Sequence, residues 1–396
     1  MITSRTQWAV GAALVAVVGV LVGLGVVNRA PEEAERAPVT TTTGLHITGL
    51  SVRGNQIVDQ DGAPVRLLGF NNSGAENACI EGWGIFDGPD SVRVRMTAGF
   101  VEQMAAWKGA NTVRIPLNEQ CWLGLGVQRA YGGDSYRNAI HNYVRLLREH
   151  GFIVVLDLHR SAPGDAPSEN QEQMPDRDHS PTFWREVASA YRDDTGVVFD
   201  VFNEPFPFAE SNTERAWQCW RDGGCQLQSQ NGGQTYTAAG MAELVATIRA
   251  TSARNVIAVG GIHWAERLDR WLEFRPADPL DNLIASFHNY AYNPFCVDER
   301  CYDTVLAEVV AAVPLYAGEV GPDATSAMGE ECTAESVQHT GFSERILDWL
   351  DAHGASYTPW SWNAWDDCYS LISDYRGTPT PIWGEEVKAR LARNAE

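Results

Sequence analysis

The chain has 396 residues, 44% of them hydrophobic, and a formal net charge of −21. So acidic a chain repels polyanions, and no run of Lys or Arg with interleaved aromatic residues forms a local basic stripe, so nucleic acid is excluded as a partner. The length suits one large domain with long loops or two ordinary domains.

Residues 8–27 form an uncharged, largely aliphatic stretch. At about 1.5 Å per residue it could span a bilayer core of roughly 30 Å, whereas a cleaved signal usually has an apolar region of about 7–15 residues. We therefore predict a transmembrane anchor, with residues 1–7 as a cytoplasmic tip and residues 28–44 as a disordered tether. Arg5 before the segment and Glu32 after it place the rest of the chain outside the cytoplasm, membrane-anchored, or secreted if the segment is cleaved.

From residue 45 onward, short apolar runs alternate with amphipathic helical stretches. This alternation is typical of βα units around a parallel sheet, and it predicts one domain over residues 45–396. The runs predicted as strands are Val65–Phe70, Thr112–Leu117, Ile153–Leu158, Val197–Phe202, Val256–Gly260, Leu283–Phe287, Leu315–Gly318 and Ser356–Trp360. Eight strands that alternate with helices predict an α/β fold, a closed (β/α)8 TIM barrel.

The segments between the strands carry helix and turn signals. Apolar positions at helical spacing predict helices around residues 136–147, after Ser180-Pro181, and over residues 241–248 and 346–350. Residues 45–61 are predicted to form a short hairpin, with Asp61-Gly62 as a turn, that plugs the bottom of the barrel.

All eight cysteines lie outside the apolar segment. An even number in a chain with an export signal indicates disulfides, and no Cys-x-x-Cys spacing favours zinc. Connectivity does not follow from sequence, but two pairs are close enough to close short loops, and the remaining four cysteines are expected to form two further bridges. The expected bridges are Cys219–Cys225, Cys296–Cys301, Cys79–Cys121 and Cys332–Cys368.

Two glutamates stand at the ends of predicted core strands. Glu204 follows the run that begins at Val197, and Glu319 follows the run that begins at Leu315. An ionised Glu is rarely buried without a partner, and strand ends of a barrel converge on one mouth, so the two carboxylates are predicted to work together. A carboxylate pair of this kind is what cleavage of a glycosidic bond requires.

Other polar and aromatic residues also stand at strand ends. In chain order they are Asn71, Asn72, Arg114, Asp157, His159, Asn203, Glu204, His288, Tyr290, Glu319, Trp360 and Trp362. In this order the set resembles the family 5 glycoside hydrolases, the cellulase family, and the similarity covers roughly residues 45–385. The resemblance implies an eightfold barrel and a retaining mechanism.

The resemblance also implies roles for individual residues. Glu204 matches the family's acid/base and Glu319 its nucleophile. Arg114 matches the arginine beside the nucleophile, where a guanidinium would keep Glu319 ionised. Tyr290 would donate a hydrogen bond to the same carboxylate.

Further matches concern the substrate. Asn203 would hold the sugar 2-hydroxyl, His159 and His288 would meet hydroxyls or the acid/base, and Asn72 is a candidate contact at the first strand end. Trp362 matches the aromatic platform under the reacting sugar. Trp360 is the alternative, because strand alternation places it on the same side. We expect neither a cofactor nor a metal.

Two other functions are weighed against this one. In a metal-dependent barrel hydrolase, a divalent ion would be bound by His159, His288, Asp157, Glu204 and Glu319, but the first strand end lacks a His-x-His pair. A surface glycan-binding barrel without activity is the second alternative, and both intact carboxylates argue against it. Within the family we favour an endo-β-1,4-glucanase, with a β-mannanase or another β-glycanase left open. The expected partner is a β-linked glycan, and the expected state is a monomer.

Overall fold

The computed structural model describes residues 47–88, 93–210, 212–292, 295–325, 331–333 and 335–395. The predicted cytoplasmic tip, transmembrane segment and tether lie outside these ranges. Within them, no helix has both the length and the apolar character needed to cross a bilayer.

A small antiparallel sheet precedes the barrel. Its strands are β1 (Ser51–Arg53), β2 (Gln56–Val58) and β3 (Pro64–Val65). Leu50 and Ile57 pack against Ile153 and Val198 of the barrel strands, so the sheet plugs the barrel as expected. The predicted hairpin is correct but incomplete, because Gly62, at φ +79°, turns the chain into a third strand.

The main sheet has eight parallel strands that are neighbours in chain order. They are β4 (Gly69–Asn71), β5 (Thr112–Asn118), β6 (Ile153–Arg160), β7 (Val197–Asp200), β10 (Ile257–Gly260), β11 (Leu283–Asn289), β12 (Leu315–Val320) and β13 (Ser356–Pro359). Two hairpins, β8 (Gln226–Gln228) with β9 (Thr235–Thr237) and β14 (Ile372–Asp374) with β15 (Thr378–Pro379), lie in the loops. A parallel bridge from Leu68 to Tyr357 joins the first barrel strand region to the last.

The eight-stranded barrel is therefore confirmed. Every residue of β5, β11 and β12 is buried, as expected for parallel strands covered on both faces. The predicted first strand is wrong in its bounds. Val65 pairs with Ile57 in the plug, and the barrel strand begins at Gly69.

The helices surround the barrel. They are α1 (Ala78–Glu81), α2 (Ala98–Ala105), α3 (Glu119–Leu123), α4 (Asp134–Glu149), α5 (Ser180–Tyr191), α6 (Glu214–Asp222), α7 (Met241–Ala250), α8 (Trp271–Phe274), α9 (Glu299–Cys301), α10 (Ala307–Ala312), α11 (Phe342–Ala352) and α12 (Trp383–Arg393), with a 3₁₀ turn at Pro207–Ala209 and a π turn at Tyr302–Leu306. The four predicted helices are confirmed as α4, α5, α7 and α11. Helix α5 opens with Pro181 in its first turn, where proline lacks only an N–H that would have no helical partner.

Disulfides tie the loops at the carboxyl ends of the strands. All four expected bridges are present: Cys79–Cys121, Cys219–Cys225, Cys296–Cys301 and Cys332–Cys368. The first links α1, after β4, to α3, after β5, and so holds two neighbouring loops of the mouth together.

Candidate active site

Glu204 and Glu319 meet at the mouth of the barrel. Glu319 lies within β12 and is the register partner of His288 in β11, and Glu204 follows the end of β7. One oxygen of each carboxylate and a ring nitrogen of His288 all lie within 4.8 Å of one another. An upper limit of 4.8 Å between the nearer oxygens fits the separation of about 5–5.5 Å between the carboxyl groups of retaining glycosidases better than the roughly 6.5–9.5 Å of inverting ones.

Arg114 lies beneath the pair, where it donates four hydrogen bonds and makes one further close ion-pair contact. Nη1 donates to Glu319 Oε1 at 2.8 Å and to Asn71 Oδ1 at 3.0 Å. Nη2 donates to Asn203 Oδ1 at 2.9 Å and lies 3.0 Å from Asp157 Oδ2. Nε donates to the Asp200 carboxylate at 3.0 Å. The guanidinium is fully buried, so its orientation is fixed by these partners.

Both oxygens of Glu319 are held by donors. Arg114 binds Oε1, and the Tyr290 hydroxyl donates to Oε2 at 2.5 Å. Only 3% of the Glu319 side chain is exposed. Hydrogen bonds to both oxygens fix the direction of the carboxylate.

Glu204 has a different environment. Its side chain is 21% exposed, and Oε1 lies 2.9 Å from His288 Nδ1. Burial raises the pKa of Glu204 to about 7; the charges of Arg160 and Arg114 oppose this rise, and Glu266 adds to it. Near neutral pH, Glu204 can therefore carry the proton that a general acid must donate.

His288 lies between the two carboxylates. Burial lowers its pKa to about 4, so the ring is neutral at neutral pH and carries one N–H. Nδ1 lies 2.9 Å from Glu204 and 3.5 Å from Glu319 Oε2. Nε2 is buried and has no hydrogen-bond partner among the residues described. The N–H is therefore best placed on Nδ1, facing the acid/base.

His159 is a second neutral imidazole. Burial lowers its pKa to about 3. Nδ1 donates to Asp157 Oδ2 at 2.7 Å, which leaves Nε2 to accept from Asn203 Nδ2 at 3.4 Å. The Asn203 carbonyl accepts from Arg114, so its amide N–H groups point away from the guanidinium. The second amide N–H of Asn203 donates to Gln171 Oε1 at 3.4 Å.

The two candidate tryptophans do not face the same side. Trp362 is fully buried, with its ring 4.6 Å from Phe70 and 4.9 Å from Trp107. Trp360 stacks over His159, with ring centroids 5.6 Å apart and planes at 22°. The expectation for Trp362 is therefore corrected: its ring lies in the core behind the barrel wall, and Trp360 is the tryptophan at the site.

Asn72 is likewise corrected. Its carbonyl accepts from Tyr143, its amide nitrogen donates to the backbone of Trp362, and 3% of the residue is exposed. Adjacent residues of a strand point to opposite faces, and here Asn71 points into the barrel. Asn71 binds Arg114 and the carbonyls of Gly318 and Thr358.

Asp200 was missed by the sequence reasoning. It pairs in register with Asp157, and both contact Arg114. The available signal was a single acidic residue inside the apolar run of β7, since an Asp in a buried strand needs a partner.

Two clusters in the described ranges have the spacing of metal ligands. One is Glu204, His288 and Glu319, and the other is Glu119, Asp176 and His179. In the second cluster, Glu119 accepts from Ser180 and from the Ala162 backbone, and burial followed by the charge of Asp176 raises the pKa of Glu119. The first cluster holds two carboxylates in unlike surroundings, as a nucleophile beside an acid/base requires.

The barrel and its paired carboxylates together define a (β/α)8 protein with a glycosidase-type catalytic site. The family model described as cellulase (glycosyl hydrolase family 5) matches residues 58–366. The chain therefore belongs to the cellulase family, glycosyl hydrolase family 5.

Curated relatives are distant. An endoglucanase of Microbulbifer sp. (strain ALW1) is 22% identical over 334 residues, covering 83% of this chain and 52% of that protein. Endoglucanase A of Butyrivibrio fibrisolvens is 24% identical over 272 residues, covering 69% and 52%. The chain thus spans about half the length of these relatives.

Solved structures share the fold. A β-glucanase from Saccharophagus degradans in complex with cellotetraose superposes with a TM-score of 0.66 at 20% identity, covering 88% of this chain and 94% of that one. The catalytic domain of an endoglucanase from Thermobifida fusca gives 0.54 at 18%, covering 86% and 96%. At such identities the likeness shows the fold alone.

Proposed function

We propose that the chain is a retaining glycoside hydrolase that cleaves β-linked glucan internally, as an endo-β-1,4-glucanase. The observation that carries the proposal is the close approach of Glu204 and Glu319 in unlike surroundings. One carboxylate is fixed by a cation and a phenol, and the other has a raised pKa and an open face.

The first step forms a glycosyl-enzyme. A Glu319 oxygen attacks the anomeric carbon while Glu204 gives its proton to the departing glycosidic oxygen. The anomeric carbon–oxygen bond breaks, an ester to Glu319 forms, and Glu204 is left ionised. Asn203 donates to the sugar 2-hydroxyl, a contact that can strengthen in the transition state.

The second step hydrolyses the ester. Glu204, now a carboxylate, takes a proton from water as that water attacks the anomeric carbon, and Glu319 leaves as the free carboxylate. With the Glu319 charge masked in the ester, the loss of a neighbouring anion favours ionised Glu204. Two inversions give a product with the configuration of the substrate.

The remaining contacts orient the sugar. Trp360 offers an aromatic face for the apolar side of a pyranose, and neutral His159 beneath it fixes its position. At the rim, Tyr292 is 51% exposed and stacks on Tyr290, 5.2 Å away. We assign the Trp360 ring to the reacting sugar and the Tyr292 ring to a neighbouring sugar.

The choice of substrate rests on the relatives. Those named above are endoglucanases, and the S. degradans β-glucanase holds cellotetraose. The test is a panel of β-1,4-glucan, mixed-linkage glucan, β-mannan and xylan with product sizing. Short oligomers from β-1,4-glucan that are β-configured when first formed would support the proposal. Preferential cleavage of mannan would favour the β-mannanase alternative, and binding without turnover would favour a non-catalytic glycan-binding barrel.

Location is also a proposal. Four disulfides support a domain that folds outside the reducing cytoplasm. We propose that residues 8–27 attach it to the membrane. Membrane fractionation, followed by protease treatment of intact cells, tests this; a soluble cytoplasmic product would contradict it.

A further inference from the structure

Beneath the catalytic pair lies a second pair of acidic residues, on the far side of Arg114. Asp157 of β6 and Asp200 of β7 are register partners and are 0% and 1% exposed. Oδ2 of each lies 3.0 Å from the guanidinium, at Nη2 and Nε respectively. Oδ1 of each is buried and has no hydrogen-bond partner among the residues described.

We propose that Asp157 and Asp200 are positioning residues: together they fix the Arg114 guanidinium against Glu319, and between them they keep a proton while the enzyme turns over. The proposal rests on the proposed function, because positioning is defined by the reaction. It adds two residues that do not touch the sugar and act only through Arg114.

The charges of Arg114 and its acidic neighbours do not balance unless one carboxyl group is protonated. The single positive charge of Arg114 faces three carboxyl groups, those of Asp157, Asp200 and Glu319. With all three ionised, the cluster would hold a net negative charge out of water, which is strongly unfavourable. Asp200 Oδ2 accepts from Arg114 and Asp157 Oδ2 accepts from His159, so the proton belongs on one of the orphaned Oδ1 atoms.

Burial supports the same protonation. It raises the pKa of Asp157 to about 7 and that of Asp200 to about 8, although Arg114 acts in the opposite direction on both. The titratable and charged groups that face the pair are Arg114 from β5, His159 and Arg160 from β6, Glu204 after β7, and Tyr316 and Glu319 from β12.

Most of these neighbours keep one charge state near neutral pH. His159 is neutral because burial lowers its pKa to about 3, and burial raises the pKa of Tyr316. Glu204 titrates in the same range as the pair. An experiment must therefore separate the proton of the pair from the proton of the acid/base.

Loss of the proton would displace the arginine. An added anion beside Nε and Nη2 attracts the guanidinium, which is fully buried between its partners and can respond only by moving away from Glu319 and Asn203. The expected consequence is a lower kcat/KM at alkaline pH, independent of the acid/base.

The kinetic test uses a dinitrophenyl β-cellobioside, whose leaving group needs no proton from Glu204 in the first step. Wild-type kcat/KM should fall above about pH 8. The Asp200→Asn variant keeps an acceptor for Nε but cannot ionise. It should retain activity within about 3-fold at pH 6 and show no such fall at alkaline pH. Asp200→Ala, which leaves Nε without a partner, should lose about 10–100-fold. An Asn variant that is as impaired as the Ala variant, or that keeps the wild-type alkaline fall, would overturn the proposal.

A matched control and a readout without turnover complete the test. Asp278→Asn changes another buried Asp, paired with Arg249 away from the mouth, and should leave the pH profile unchanged. In wild-type protein with ¹³C-carboxyl-labelled Asp, NMR at pH 6 should show a protonated carboxyl that disappears in the Asp157→Asn, Asp200→Asn double variant. Absence of that signal overturns the proposal. If the signal is present but the protein cleaves no glycan, the buried proton is supported and only the proposed function is refuted.

Discussion

The hydroxyl group of Tyr290 donates to Oε2 of Glu319 across 2.5 Å. Arg114 binds the other oxygen, so the nucleophile is fixed in direction before a substrate arrives. Such preorganisation aligns a lone pair with the reacting carbon and avoids reorganisation during the reaction. The acid/base, held by one contact to His288, keeps an open face toward the leaving group.

Glu204→Ala should separate the two chemical steps. On unactivated glucan, kcat should fall by about 10²–10⁴-fold because the leaving oxygen receives no proton. On a dinitrophenyl glycoside, formation of the glycosyl-enzyme should continue at nearly the wild-type rate, seen as a burst of dinitrophenol followed by slow hydrolysis. Glu266→Gln, which changes a nearby carboxyl outside the catalytic pair, is the control. Equal losses on both substrates would contradict the assignment.

The pH dependence follows from the raised pKa of Glu204. A general acid must be protonated, so kcat/KM on unactivated glucan should fall about tenfold per pH unit above about pH 7.

The free energy of unfolding should also fall as the pH rises. The folded state favours protonated Glu204, so this contribution is fully present below about pH 4 and lost as the pH rises through about 7. The free energy of unfolding of Glu204→Gln, measured by denaturant titration, should therefore exceed that of the wild type at pH 8 by roughly 3 kcal/mol at most. At pH 4 it should be no higher than that of the wild type. If variant and wild type had equal free energies of unfolding at both pH values, the raised pKa of Glu204 would be contradicted.

The two tryptophans give opposite signatures. Trp360→Ala should lower kcat/KM on glucan by about 3–10-fold through lost stacking, with most of the protein still folded. Trp362→Phe leaves a void beside Phe70 and Trp107 and should lower the free energy of unfolding by about 1–2 kcal/mol, with kcat and KM near wild type. Steady-state kinetics and denaturant titration of both variants distinguish the roles. A kinetic defect confined to Trp362→Phe would restore the original assignment.

Gly318→Ala should perturb His288 from behind. A Cβ at Gly318 would lie 3.0 Å from Ser286 Oγ and 3.1 Å from His288 Nε2, tighter than ordinary contact. The imidazole must then move by a few tenths of an ångström, and we expect kcat to fall about tenfold with little change in KM. Gly99→Ala in α2, where nothing closer than 3.9 Å meets the added carbon, is the matched control and should leave kinetics unchanged.

The sequence predicted the barrel well because its signal is periodic. Apolar runs and helix starts identified eight strands and four helices, and short spacing identified two of the four disulfides. It was harder to predict which face of the barrel wall each side chain points to. The register of the strands shifts between Phe287 and His288 and again between Ala317 and Val320. A one-residue shift reverses the face of the side chains that follow.

The errors at Asn72 and Trp362 have related causes. The strand β4 is only three residues long, so the choice between Asn71 and Asn72 depended on where it begins. The strand β13 ends at Pro359, and alternation therefore gives no direction for Trp360 and Trp362. Asp200 was missed because a lone acid in an apolar run does not reveal its partner until the neighbouring strands are aligned.

The central claim is that Glu319 becomes covalently attached to sugar. A 2-deoxy-2-fluoro-β-cellobioside with a dinitrophenyl leaving group should trap this ester, because the fluorine slows both steps and the good leaving group restores the first. Mass spectrometry of wild-type protein should show one added fluorocellobiosyl group, located at Glu319 by peptide mapping and absent in Glu319→Gln. Label on another residue, or turnover of glucan by Glu319→Gln at the wild-type rate, would contradict the account.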